Sequence, residues 1–276
     1  MFELSAAALF ELAAVAIGAG IAGGILAGLL GVGGGIVIVP ALYFALTLTG
    51  MEPELTMKVA VGTSLATIVF TSLSSSLGHY RRGAIDLNLL KLWAPSILAG
   101  VVCGSFLGAY VSGKVLVAVF ATVALIVAAD MILRKGSADL QPRSFSRPVW
   151  ALFGVIAGAL SAMMGIGGGT ICVPLLNFLG YDIRRAVGTS SAIGFLIGLP
   201  GAVIYAATGL DAVGLPPLSL GYVNLAAAAV IIPLTMIFSQ VGVRLAHSIP
   251  RRALRLSFGA FLLLTSIRMF IDLMKG

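Results

Sequence analysis

The chain has 276 residues, of which 59% are apolar and 10% charged, with a mean hydropathy of +1.11. Soluble domains carry about 25% charged residues, so a soluble globular fold is excluded and an all-α polytopic membrane protein is expected. The net charge of +7 does not indicate nucleic acid, because the basic residues sit at the ends of apolar runs, where topology signals belong.

No charge falls between Glu11 and Glu52. This first run, about 6–49, is too long for one span of ~20 residues, and Gly31–Gly35 cuts it. No cleavable signal is expected, since the N-terminus lacks a basic n-region and carries Glu3 and Glu11 instead. A span over 57–78 follows, then a basic loop from His79 through Lys91, then a span at about 92–112. Its Gly100, Gly104 and Gly108 recur every four residues, a spacing that lets another helix approach closely. A tight turn at 112–114 leads into a span ending near Arg134. Lys135–Arg147 is the most polar stretch and reads as a linker. The second half runs from Pro148 to Met164, through a second glycine break to Gly180, and through a span from Arg184 to about 208. A Pro/Gly loop over 208–217 precedes spans at about 219–243 and 253–273.

The second half replays the first. Gly31-Val32-Gly33-Gly34-Gly35-Ile36-Val37-Ile38-Val39-Pro40 returns 134 residues later as Gly165-Ile166-Gly167-Gly168-Gly169-Thr170-Ile171-Cys172-Val173-Pro174, identical at six of ten positions. Ala60-Val61-Gly62-Thr63-Ser64 returns unchanged as Ala186-Val187-Gly188-Thr189-Ser190. Two motifs recurring in the same order indicate an internal duplication. It divides the permease domain into a first repeat over 1–134, a linker over 135–147 and a second repeat over 148–276.

Basic residues decide how the repeats are arranged. If each glycine-broken run crosses once, there are eight spans, and Lys and Arg divide nine against eight, with no bias. If each is a re-entrant hairpin of two half-helices, six full spans remain and the second repeat is inverted. The basic residues then divide thirteen against four, the asymmetry of the positive-inside rule. Inverted repeats are therefore expected, with the basic loops cytoplasmic and both termini non-cytoplasmic.

Three glycines in a row break a helix, each costing about 1 kcal/mol against Ala, and lipid cannot satisfy the freed backbone. Such a break belongs where protein or a cavity covers it. Inverted repeats with discontinuous helices describe a secondary-transporter core. Half-helices starting at Ile36 and Thr170 would turn their N–H groups and positive dipole ends toward the centre, which favours an anion. The candidate substrate-binding residues are Gly33, Gly34, Gly35 and Ile36 with Thr63 and Ser64, and Gly167, Gly168, Gly169 and Thr170 with Thr189 and Ser190; Ser191 could add a further hydroxyl. The acidic residues nearest the spans are Glu11, Asp130 and Asp272, all near the ends of apolar segments, so a carboxylate cation site is not expected. Cys103 and Cys172 lie in different runs and imply neither a disulfide nor a metal site. No cofactor is expected.

The paired Gly-x-Gly-Gly-Gly-x-x-x-x-Pro and Ala-Val-Gly-Thr-Ser segments resemble the TauE/SafE family, also described as the toluene sulfonate uptake permeases, along essentially the whole chain. The resemblance implies a bacterial inner-membrane permease for sulfur-containing or organic anions such as sulfite, sulfoacetate or related sulfonates. The matching positions are Gly33–Gly35 with Pro40, Gly167–Gly169 with Pro174, and the two Gly-Thr-Ser clusters. A small anionic substrate and the lipid bilayer are the expected partners, nucleic acid is not, and a homodimer is compatible with such a permease.

Other readings stand beside this one. The glycines could serve helix packing alone, as Gly20, Gly24 and Gly28 are expected to do, and the hydroxyls could bond only to neighbouring backbone. Gly18-Ala19-Gly20-Ile21-Ala22-Gly23 matches a dinucleotide-binding pattern, but no strand precedes it. Tyr80 and Tyr205 could be equivalent pore residues or ordinary interfacial tyrosines. Catalysis is not expected, since the only histidines, His79 and His247, lie at span ends and no hydrolase motif is present. A passive anion channel and a membrane scaffold remain open.

Overall fold

The computed structural model describes residues 6–133, 146–246 and 251–275, which form ten helices and one β-hairpin. The helices are α1 Ala6–Leu30, α2 Gly35–Leu48, α3 Pro53–Tyr80, α4 Leu87–Tyr110, α5 Gly113–Leu133, α6 Arg147–Met164, α7 Gly169–Phe178, α8 Ile183–Thr208, α9 Leu225–Leu245 and α10 Arg251–Lys275. Strands β1 Ser219–Leu220 and β2 Val223–Asn224 pair antiparallel between α8 and α9. Among the described residues, seven helices are long and apolar enough to cross a membrane: α1, α3, α4, α5, α6, α8 and α9. The protein is an all-α polytopic membrane protein.

Local sequence explains the helix starts. Asp86 caps α4 by accepting from Asn88 and Leu89 N–H at 3.0 Å each. Asp182 caps α8 in the same way through Arg184 and Arg185 N–H, and Asn224 caps α9 through Ala227 N–H. Each satisfies backbone donors that the first helical turn leaves without a partner. The hairpin turns at Gly221, with φ +54°, and its Cα faces the Ala206 carbonyl too closely to admit a side chain. That hairpin occupies the start of the span expected over 219–243.

Two expectations need correction. The first members of the glycine-broken pairs are not half-helices: α1 has 25 residues and α6 has 18, and each is long enough to span. Only α2, with 14 residues, and α7, with 10, are short. The glycines of α1 do not interrupt it because tertiary packing offsets their low propensity. Gly24 lies against the Thr235 backbone and Gly28 against Ser239, both on α9. The short helices also begin at Gly35 and Gly169, one residue before the expected Ile36 and Thr170. Of the expected linker over 135–147, only its last two residues are described, and α6 begins at Arg147; His247 also lies outside the described residues.

Contacts fix the relative directions of the helices. Gly20, Gly24 and Gly28 of α1 meet successively later residues of α9, so these two run the same way. Thr71 donates to Thr235 at 2.7 Å and Ser239 to Ser74 at 2.9 Å, so α3 runs with α9. Since α1 and α3 run together, α2 between them returns. The stripe on α4 behaves as its spacing implies: Gly100 meets Val155 and Gly104 meets Ala159, so α4 runs with α6. Gly108, the third of the stripe, meets Tyr205 of α8 instead. By contrast, α3 and α8 are antiparallel, with Gly194 at Ser72 and Gly201 at Leu65. So are α5 and α10, with Gly259 at Met131 and Ser266 donating to Ala121 O at 2.8 Å.

Charge separates the two ends of the bundle. Arg185 lies 4.0 Å from Asp86, and the Trp150 ring packs edge-on against Trp93 and Tyr181. These contacts hold the turns after α3 and α7 together at one end, with Arg81, Arg82 and Arg184 exposed beside them. At the other end Gly113 N–H donates to Glu54 at 2.6 Å, and the Lys58 ammonium sits 5.7 Å from the centre of the Tyr222 ring.

Candidate functional site: two broken helices in contact

The two glycine segments meet each other. A Cβ added at Gly33 would lie 3.2 Å from Gly167 Cα, and one at Gly167 would lie 2.7 Å from Val32 O. Backbone therefore touches backbone with no side chain between, an approach only glycine permits. The contacts to the flanking helices are reciprocal. Gly31 abuts Val187 O on α8, and Gly165 abuts Val61 on α3. Each break thus rests on the Ala-Val-Gly-Thr-Ser segment of the other half. Both segments are fully buried, Gly31–Gly35 and Gly165–Thr170 alike.

The short helices begin at this crossing. Gly34 takes φ +80°, a left-handed value that β-carbons disfavour by about 1–2 kcal/mol. It caps α2, whose first inward bonds are Val37 and Ile38 N–H to Gly34 O. In α7 the corresponding bond is Cys172 N–H to Gly168 O at 2.7 Å. The earlier N–H groups of each first turn have no carbonyl within their helix. Pro40 and Pro174, one turn further on, sit inside α2 and α7.

The hydroxyls divide into two groups. Thr63 Oγ1 accepts from Asn224 N–H at 2.9 Å, and Thr189 Oγ1 accepts from Asp86 N–H at 2.9 Å. These are equivalent bonds: each threonine ties its helix to the residue capping the helix of the opposite half. Ser64 Oγ donates to Gly165 O at 2.7 Å, and Ser191 Oγ to Gly188 O. All four are engaged with backbone. Thr170 and Ser190 are equally buried, at 1% and 0% exposure, yet their hydroxyls have no hydrogen-bond partner.

The crossing therefore brings together the six candidate glycines, with Ser64 against Gly35 and Ser190 against Gly168, while Thr63 and Thr189 bond at the starts of α9 and α4 instead. Of the candidate hydroxyls only those of Thr170 and Ser190 lack a partner. Sequence reasoning missed Ser72, whose buried hydroxyl is also unpartnered and lies against Gly194. It missed Ile68 as well, which covers Gly33 and Gly35. Neither belongs to a repeated motif; their signal lies one and two turns beyond Ser64 on the same helix. Tyr80 and Tyr205 occupy unlike settings: Tyr80 is exposed, while Tyr205 is buried against Tyr222.

Two further features lie apart from the crossing. A groove of about 510 Å³ opens between α3, α4, α8 and α9, lined by Leu73, Leu77, Tyr80, Leu90 and Met236 among others, and no glycine-segment residue lines it. Among the described residues no three His, Cys, Asp or Glu side chains gather as metal ligands.

Long apolar helices, two buried chain breaks in contact and short helices starting from them define a polytopic membrane protein with discontinuous helices. Comparison with known proteins gives the family. Residues 16–269 match the family described as "Sulfite exporter TauE/SafE", and the chain belongs to it. It is 33% identical over 249 residues to a probable membrane transporter protein of Haemophilus influenzae, covering 90% of this chain and 94% of that one. It is 30% identical over 214 residues to the probable membrane transporter protein YunE of Bacillus subtilis, covering 69% and 77%. A probable membrane transporter protein of Methanocaldococcus jannaschii is 28% identical over 248 residues, covering 87% and 88%. No solved structure gives a significant match.

Proposed function

We propose that the protein is a secondary transporter that moves sulfur-containing or organic anions, such as sulfite or sulfonates, across the plasma membrane by alternating access. One observation carries the reading. Two short helices start from buried glycine segments that touch each other, α2 at Gly35 against Gly165 and α7 at Gly169 against Gly31, so both positive ends border the one crossing. An anion is the ligand such a place favours, and the glycines let it approach the backbone. In the conformation described, the segments close on one another. Binding requires them to part, and parting toward one end and then the other is alternating access.

The two segments of sequence over 1–134 and 148–276 act as inverted repeats in this reading. Equivalent helices α3 and α8 cross antiparallel, as do α5 and α10, and the contacts of Gly31 with Val187 and Gly165 with Val61 are exchanged between halves. A two-fold axis in the membrane plane relates elements in this way; an axis along the membrane normal would leave equivalent helices parallel. The end carrying Arg81, Arg82, Arg184 and Arg185 faces the cytoplasm, by the positive-inside rule.

The test is flux into proteoliposomes of the purified full chain, across sulfite, thiosulfate, sulfonates and carboxylates, with and without a pH gradient. Saturable uptake accelerated by anion on the opposite side supports a carrier. Non-saturating flux without counterflow supports a channel instead, since short pore helices also build channels. No flux of any of these anions overturns the proposal.

A further inference from the structure

Ile36 in the first glycine segment against Thr170 in the second already marks the halves as unequal in sequence, and the side chains around the breaks extend that difference. The repeats place residues in equivalent positions 134 apart in the glycine segments and 126 apart in α3 and α8. Beside the first break stands Ile36, buried in the first turn of α2; its counterpart beside the second break is Thr170. Ser64 on α3 donates to Gly165 O at 2.7 Å, while its counterpart Ser190 on α8 has no partner. Ile68 packs over the first break, its Cδ1 2.9 Å from the point where a Gly35 side chain would begin. The counterpart of Ile68 is Gly194, and the room it leaves is taken by Ser72 Oγ, reaching across from α3. The same point on Gly194 is 3.9 Å from Gly168 N, so Gly194 lies beside both Ser72 and the cap of α7.

Three paired positions thus differ in one direction. The first break is covered by two isoleucines and a serine already bonded. Around the second lie three hydroxyls, Thr170, Ser190 and Ser72, each at 1% exposure or less and each without a hydrogen-bond partner. A buried polar group left unpaired is costly and calls for an explanation. Three beside one helix start, where the first-turn N–H groups are also free, are explained together by a ligand that accepts hydrogen bonds. Ile193, with Cγ2 2.7 Å from the side-chain point of Gly168, supplies an apolar wall.

We infer that the anion seat is one-sided: it is built on the second break from the hydroxyls of Thr170, Ser190 and Ser72 and the N-terminus of α7, and the first break, covered by Ile36 and Ile68, is its apolar counterface. This rests on the transport reading and specifies its site. The hydroxyls come from three different helices, α7, α8 and α3, and donate without carrying charge. That set can place one hydroxyl on each oxygen of the pyramidal head of a sulfonate or sulfite, whereas a carboxylate presents its acceptor sites in a single plane.

The experiment uses the purified full chain, with binding of methanesulfonate, sulfite and acetate read by calorimetry and thermal midpoints read without ligand. Thr170→Val, Ser190→Ala and Ser72→Ala should each weaken methanesulfonate binding by roughly 5- to 150-fold, and should leave the ligand-free midpoint unchanged or raised, since each removes an unpaired hydroxyl. Ser64→Ala should do the reverse, lowering the midpoint with little effect on affinity. Methanesulfonate should bind at least about tenfold more tightly than acetate, and Ser72→Ala should narrow that ratio. Opposite movements of stability and affinity cannot come from misfolding. If the wild-type protein transports these anions but its affinity ignores all three hydroxyl variants, or responds as strongly to Ser64→Ala, the one-sided seat is wrong and transport stands. If acetate matches methanesulfonate, the three-oxygen assignment falls. If the wild type neither binds nor moves any of the three, the transport reading falls and this seat with it.

Discussion

Gly167→Ala puts the contact between the two breaks to the most direct test. The added Cβ would lie 2.7 Å from Val32 O and 3.0 Å from Gly33 Cα. Neither neighbour is a side chain that could rotate away. The facing strand of backbone is itself pressed by Gly169, whose Cα side meets Gly31. Overpacking of this kind costs about 1–3 kcal/mol. Alanine recovers about 0.4–1 kcal/mol by restricting the unfolded chain. The net expectation is a loss of about 1–2 kcal/mol, enough to lower the thermal midpoint of the purified protein measurably. Transport should fall further than stability, because the two segments can no longer close on each other. Gly18→Ala is the matched control: it lies inside α1 with nothing within 4 Å of the new atom. It should leave flux unchanged and the midpoint equal or higher, since alanine favours helix by about 1 kcal/mol. Intrinsic-fluorescence melting and sulfite uptake, run on the same preparations, read both effects. A Gly167→Ala protein with wild-type midpoint and wild-type uptake would refute the reasoning, because the backbone contact would then be dispensable.

Three other expectations follow from contacts described above. Asp86→Ala removes two N-cap bonds and the partner of Arg185, and should destabilise by about 0.5–2 kcal/mol in a melting experiment. In a background without Cys103 and Cys172, cysteines at Arg82 and Val213 should label from opposite faces of sealed vesicles, and a cysteine at Glu52 should label with Val213; labelling of positions 52 and 82 from one face would break the topology. Arg81→Ala or Arg185→Ala should alter uptake rate and its salt dependence while leaving affinity near wild type, as expected of charges at a mouth.

Much of the architecture was legible because membrane insertion leaves coarse marks. Apolar length located the helices, the Gly100, Gly104 and Gly108 stripe foretold close approach, and the repeated glycines located the crossing. The lengths of α1 and α6 were not legible. The sequence assigns Gly20, Gly24 and Gly28 to helix packing, and they do pack, on α9 some two hundred residues away; that this contact keeps α1 continuous to Leu30 is visible only in the fold. The hydroxyls show the same limit. Thr63, Ser64, Thr189 and Ser190 are identical between the repeats, so nothing local distinguishes Ser64, bonded to Gly165, from Ser190, which has no partner. Ser72 stands where the second half has Gly198, outside both motifs, and only the crossing of α3 over α8 brings it to Gly194.

The exchange of helices between halves also sets a timetable for making the protein. Residue 28 of α1 rests on residue 239 of α9, 211 positions later in the chain. At about 5–20 residues per second, the ribosome delivers that partner roughly 10–40 s after α1 has emerged. During that interval the glycine stripe of α1 faces lipid or the insertion machinery, and α4 waits likewise for α6. A nascent chain stopped at the linker would hold α1 with no surface to receive it. Quality control in the membrane therefore meets this protein as an unfinished bundle until its ninth helix is inserted, and a nonsense mutation between the linker and α9 leaves α1 without its partner even though the first half is complete.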